Sequence, residues 1–237
     1  MPVSTLAKPP GHEKIRAAKG ARTRESILHV AVNLASLEGL QGLSIGHLAD
    51  ELKMSKSGLF AHFGSKEDLQ LATVEMARQI VVEHVIRPAL AQPEGMPRLW
   101  ALCDGWLGHV EKRVFAGGCF FTAASFEFDS RSGPVRDSIA DAMRAWLGVL
   151  SEAVARAQKC GHLKTGFDPE KFAFEMYSLV IGSHWGHGLF GNRKPFSNAR
   201  SMILARLQAL ATSKCPPLAV PSPERRRLKN NSPTRKF

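Results

Sequence analysis

The sequence predicts an all-α chain, with a small N-terminal domain of three helices followed by a larger helical one. Three observations carry this. Apolar residues recur at spacings of three and four through most of the 237 residues. Helix-start residues (Ser44, Ser55, Ser65 and the Asp168–Pro169 pair) stand just before such runs, and Gly39 and Gly161 stand just after others. No run of alternating β-branched residues bounded by turn chemistry occurs, so no sheet is expected.

The first helix is expected over Arg22–Glu38, burying Ile27, Val30, Ala31 and Leu34, with Gly39 stopping it at C′. Leu43, Ile45, Leu48, Ala49 and Leu52 form one face of a second helix, with the Ser44 hydroxyl placed to accept an orphan N–H of its first turn. Lys53 and Met54 break the pattern, and Ser55 caps a third helix to about Phe63. Ser65 caps a fourth, with Asp68 three residues on in the capping-box arrangement. That helix is expected to run through Leu69, Ala72, Met76 and Ile80 toward Arg87, where Pro88 ends it. After a loop at 91–97, a helix is expected over Arg98–Val114, broken by Gly117 and Gly118, and a short apolar one over 119–129. A turn holding Pro134 opens the next helix, which stops at Cys160–Gly161. Asp168 as N-cap and Pro169 at N1 begin another, to about Phe190, and a last one spans Asn198–Ala211.

The net charge of +11 sits at the ends of the chain. Residues 1–24 carry +5 and residues 212–237 carry +6, while 25–211 hold 19 basic and 19 acidic residues. Both ends are Pro-rich and lack apolar periodicity. The expected division is therefore a disordered basic arm at 1–21, a small three-helix domain at 22–68, a second helical domain at 69–211 and a disordered basic tail at 212–237. The ends act either as solubilising arms or as cations that add salt-dependent affinity for phosphate. No apolar run approaches the ~20 residues that span a bilayer. The N-terminus has no apolar core of a secretory signal. The four cysteines (Cys103, Cys119, Cys160, Cys215) are widely spaced without a CxxC pair, so the expectation is a cytoplasmic protein without disulfides, membrane or zinc.

A short amphipathic helix, a three-residue turn and a second short helix make a helix-turn-helix, whose second member enters the DNA major groove. The run Ser55, Lys56, Leu59, Phe60, His62, Phe63, Ser65, Lys66, Glu67 and Leu69, near the N-terminus and after a helix of this length, resembles the signature of the TetR family of transcriptional regulators. The resemblance is dense in motif over residues 22–70 and architectural beyond. It implies base and phosphate contacts from the third helix and its flanks. Ser55, Lys56 and Ser57 would meet phosphate at the helix start, Lys56 being the candidate for a base edge. Phe60 and His62 would face DNA, Lys66 would pair with phosphate, and Ser44, Arg22 and Thr23 would brace the backbone. Leu59 and Phe63 are read as core. This chain departs from the family pattern at three places: Lys53 where the turn usually has Gly, Ser57–Gly58 for Gly-Thr, and Phe60 for Tyr. A left-handed Lys53 would cost roughly 1 kcal/mol relative to Gly.

The resemblance further implies a helical ligand-binding and dimerisation domain whose last two helices pack on their symmetry mates. Ser178, Gly182 and Gly186 form a small-residue stripe, and Ile203, Leu204, Leu207, Leu210 and Ala211 an apolar face. These are candidates for the dimer interface, against the alternative of a seam within one chain. Trp100, Cys103, Trp106, His109, Cys119, Phe120, Phe121, Phe126 and Phe128 concentrate aromatic and soft groups in one region. Each alone reads as core, but as a group they are candidates to line an apolar pocket. Few fixed charges lie among them, the acidic ones being Asp104, Glu111 and Glu127.

Sharper-looking signals carry less. GHGLFG at 186–191 matches GxGxxG but ends a helix with no strand before it. His184 and His187 share a helical face without a third metal ligand at suitable spacing. No GxSxG, HExxH or P-loop occurs, so neither an enzyme nor a cofactor is expected. The reading is a ligand-responsive regulator, a homodimeric repressor released from a palindromic operator by a small apolar or aromatic effector. The alternatives are a regulator without an effector, or an activator. A helical enzyme or sequestering protein would require DNA binding to be absent.

Overall fold

The computed structural model describes the backbone of residues 12–218, with side chains from residue 19 on. The first helix, α1 (His12–Glu38), begins ten residues before the expected Arg22. Residues 12–21, read as part of the arm, are thus helical. The HEKIRAAK run is rich in good helix formers. The remainder of the expected arm lies outside the described residues.

The caps read from the sequence are all made. In α2 (Ile45–Glu51) the Ser44 hydroxyl accepts from His47 N–H at 3.2 Å. In α3 (Lys56–Phe63) Ser55 accepts from Gly58 N–H at 3.1 Å. In α4 (Lys66–Val81) Ser65 accepts from Asp68 N–H at 3.0 Å. Asp68 does not complete the capping box; its carboxylate accepts instead from the Ser65 hydroxyl at 2.6 Å. The turn between α2 and α3 places Lys53 at φ 52°, in the left-handed region that glycine fills without strain. Ile27, Ala31, Leu43, Leu48, Leu59, Phe63 and Leu69 close a core beneath these helices.

Pro88 does not end the fourth helix. A π-helical turn at Val82–Ile86 follows α4 directly, closed by Arg87 N–H donating to Val82 C=O, and α5 (Arg87–Leu90) carries Pro88 in its first turn. The widened turn makes room where a proline ring would clash with the preceding helix. The result is one rod from Lys66 to Leu90.

Around it pack α6 (Met96–Glu111), α7 (Phe120–Phe128), α8 (Pro134–Lys159), α9 (Pro169–Phe190) and α10 (Lys194–Leu210). Helix α9 starts as expected, with Asp168 accepting from Glu170 N–H at 2.9 Å. Helix α10 begins four residues before the expected Asn198, with Pro195 in its first turn. The α8–α9 and α9–α10 pairs form the bulk of this domain. Residues 212–218, expected in the disordered tail, are held to it: Thr212 N–H donates to His162 C=O at 3.1 Å, and Cys215 and Leu218 are partly buried on the core. The rest of that tail lies outside the described residues. Among the described residues there is no sheet, only isolated bridges at Phe115–Gly118 and Leu163–Ala211.

Candidate nucleic-acid interface and effector cavity

Helix α3 buries Leu59 and Phe63 and turns Lys56, Ser57, Phe60 and Ala61 outward. Phe60 is 54% exposed, large for a phenyl ring and suited to apolar contact with a base or sugar. Lys56 reaches over the start of α2 toward Gly46, whose missing side chain leaves it room. His62 is half-buried beside Phe63. Arg22 is exposed on α1, while the Thr23 hydroxyl donates to Lys19 C=O at 3.0 Å. Arg24 lies 5.0 Å over the Phe63 ring, bracing α1 against the reading helix. Lys66 was expected to be free for phosphate; its ammonium donates to Gln41 C=O at 2.5 Å, which leaves two of its three donors.

The α1–α2 turn is held from several sides. Gln70 donates to Leu40 C=O at 2.8 Å from α4. From α7, the two oxygens of Glu127 accept from Leu40 N–H at 2.7 Å and Gln41 N–H at 3.0 Å. Gly39, at φ 89°, lies so close to this carboxylate that a Cβ would press on it. One loop earlier, Ala116 N–H donates to Asn33 at 3.1 Å and Gly117 N–H to Ser36 at 2.9 Å. A Cβ at Gly117 would overlap the Ser36 carbonyl. Glu127, Asn33, Ser36 and Gly117 therefore tie the second domain to the first. The sequence offered no signal for them beyond an acidic residue in an apolar run.

An apolar cavity of about 170 Å³ lies between the rod and α6, α7 and α8. Val81, Val82 and Ile86 wall it from the rod, Trp106 and His109 from α6, Trp146 from α8, and Phe115, Phe121 and Thr122 from the tied segment. Of the expected lining residues, Trp106, His109, Cys119 and Phe121 are in the wall. Trp100, Cys103 and Phe120 are not: all three are buried core residues facing elsewhere, Trp100 toward Pro217 and Leu218. Phe126 is 63% exposed, on the outer face of α7. Burial pushes the Cys103 thiol up to about 12, so it is an inert apolar filler. Asp104 and Glu111 turn from the cavity to pair with Arg200 of α10 at 2.5 and 3.3 Å.

Burial, with His84 nearby, pulls the His109 imidazole down to about 4, so it is neutral at physiological pH. Among the described residues its two ring nitrogens have no hydrogen-bond partner, and neither does the Trp146 indole N–H. The Thr122 hydroxyl sits beside the buried Cys119 thiol, a weak partner.

The expected dimer residues divide. Ile203 and Leu207 are wholly buried within the chain, between α10 and its neighbours, and Gly186 packs on Pro195. Leu210 is partly buried against the same core. Ser178 and Gly182 are exposed, on an outer α9 face shared with Phe174 (67% exposed), Trp185 (60%) and Leu189 (65%). His184 packs on Gly118, and His187 Nδ1 lies 2.9 Å from Asn192 C=O. No group of potential metal ligands occurs among the described residues.

Fold and reading unit together are those of a helix-turn-helix regulator, and comparison with known proteins agrees. Residues 27–73 match the bacterial regulatory proteins of the tetR family, and residues 95–203 match the tetracyclin repressor-like C-terminal domain. The chain belongs to the TetR family: it is a transcriptional regulator and not an enzyme. Over 82 residues it is 35% identical to the HTH-type transcriptional repressor NicS of Pseudomonas putida, a match covering 34% of this chain and 39% of that repressor. A TetR transcriptional regulator from Chloroflexus aurantiacus superposes with a TM-score of 0.76 at 21% identity, over 82% of this chain and 98% of that one. AibR, solved with isovaleryl coenzyme A and operator DNA, gives 0.62 at 21% identity over 79% and 97%. At that identity the two structures establish the fold.

Proposed function

We propose that this chain is a homodimeric repressor, released from a palindromic operator by a small apolar or aromatic effector that enters the cavity. Residues 22–68 would read DNA, and 69–211 would bind effector and dimerise. The observation that carries the reading is the continuous rod of α4, the π turn and α5. One end begins three residues after the reading helix and the other walls the cavity, so anything that moves the wall moves the reader. The ties from the 115–127 segment give a second route between the same two places. The outward face of α3, with Lys56, Ser57 and Phe60 beside Ser55 and His62, supports DNA reading, with Arg22, Thr23, Ser44 and Lys66 on the flanks.

A single short helix reads too few base pairs for specificity, so two are needed, about 34 Å or a multiple apart. The apolar α9 face of Phe174, Trp185 and Leu189, with Met202 on α10, supports self-association there. No helix among the described residues is long and apolar enough to cross a membrane, and a cytoplasmic location fits that and a DNA partner.

An electrophoretic shift against the chain's own upstream region, combined with mass by light scattering, tests this. The expected result is a dimer that shifts one duplex, and a Trp185→Asp variant that is monomeric and shifts it poorly. Tight, sequence-specific binding by a monomer would overturn the reading.

A further inference from the structure

The cavity is apolar except at a few points. Buried polar groups in folded proteins nearly always find a partner. Here His109 and Trp146, on helices that face each other across one cavity, leave three nitrogens without a hydrogen-bond partner among the described residues. Both side chains are more than nine-tenths buried. An indole N–H only donates, and a neutral imidazole offers one donor and one acceptor. One hydroxyl oxygen that accepts from the indole N–H and donates to the bare imidazole nitrogen meets two of these three needs. The Thr122 hydroxyl in the same wall can serve either role.

Charge is excluded by what the wall lacks. Among the described residues Arg78 is its one charged residue, and two of its nitrogens each lie 2.7 Å from a Glu75 oxygen. An anion there would compete with the Glu75 carboxylate that already neutralises it. A cation would meet two N–H donors and no carboxylate, despite the Trp106 and Tyr177 rings stacked at 5.8 Å. Size limits the guest further. A cavity of roughly 150 Å³ accommodates benzene, and this one measures about 170 Å³, so it suits one ring with a small substituent.

We infer that the effector is an uncharged single-ring aromatic bearing one hydrogen-bonding oxygen, a phenol in its simplest form, selected by His109 and Trp146. The inference rests on the cavity being the effector site. It assigns the two residues as specificity determinants that touch the ligand's oxygen, with Trp106, Phe115 and Phe121 supplying ring contacts.

Calorimetric titration of the full chain with four probes tests it: phenol, toluene, benzoate and benzyltrimethylammonium. Phenol is expected to bind at least tenfold tighter than toluene, and both ions more weakly than toluene. In Trp146→Phe and in His109→Leu the phenol advantage is expected to fall about tenfold, roughly the 1.4 kcal/mol of one good hydrogen bond. Toluene affinity holds or rises in both variants, which shows the cavity intact. Phenol should also release the operator, and more weakly from the variants.

Equal binding of toluene and phenol would refute the polar selection while leaving the cavity as effector site. Tightest binding of either ion would refute neutrality. Binding of none of the four would refute the cavity reading itself.

Discussion

Removing the Glu127 carboxylate should loosen the tie between the two domains by a measurable amount. In Glu127→Ala, Leu40 N–H and Gln41 N–H lose acceptors at 2.7 and 3.0 Å. Hydrogen bonds to a charged group contribute about 1.5–3 kcal/mol each. Leu40 is 1% exposed, so its N–H loses close to the full amount, while the half-buried Gln41 N–H recovers part of it from water. A net loss of about 3 kcal/mol follows, which in a protein of this size lowers the melting temperature by roughly 6–12 °C. Glu127→Gln keeps one acceptor but sets an amide N–H₂ against a backbone donor, so it should recover less than half of the loss. Urea denaturation of parent and both variants measures this. A stability within 0.5 kcal/mol of the parent in Glu127→Ala would mean that the carboxylate adds nothing and that the turn holds itself. If the tie also transmits the effector signal, the same variant should need more effector to leave the operator.

The folded protein holds His109 neutral down to about pH 4, whereas the unfolded chain protonates it near 6.5. The unfolded state binds more protons between those values, so stability falls by about 3 kcal/mol as pH drops from 6.5 toward 4, with His184 adding in the same direction. His109→Leu should flatten denaturation midpoints across that window, and an unchanged slope would discount His109. Lys53→Gly relieves a left-handed lysine and should stabilise by roughly 1 kcal/mol in thermal melts; a loss would show that the lysine makes a compensating contact. On DNA, Lys56→Ala should cost ~1–3 kcal/mol mainly on the cognate site, while Lys66→Ala should weaken all sequences alike and lower the salt slope by about 1. Equal losses on cognate and scrambled duplexes for both would refute the division of roles.

The reading unit was legible because its instructions are local. Ser44, Ser55 and Ser65 each cap the helix that begins one residue later, and a cap needs only its own first turn. The second domain was legible as helices but not as faces. A stripe such as Ile203–Leu207 announces burial without saying against what, and here the partners are α9 and α6 of the same chain. Phe120 and Phe126 look alike in sequence, yet one is core and the other solvent-facing, because six residues of α-helix turn them onto different faces of α7. The rod through Pro88 needed a π turn, a tertiary accommodation that no residue type announces. Glu127 was visible only as a charge out of place, since its partners lie 86 and 87 residues away.

Each closing bond of the Val82–Ile86 turn spans one residue more than an α turn, which makes this short stretch a length reserve inside a helix. Losing one exposed residue there, Glu83 or His84, would let the backbone revert to α-helix while the segments before and after keep their facing. The reading end would be undisturbed, but Val82 and Ile86 would draw together and narrow the chamber behind them. Gaining or losing a residue is ordinarily tolerated only in loops. If the chamber is the effector site proposed above, a change in the length of this helix would alter which guest it admits without touching α3.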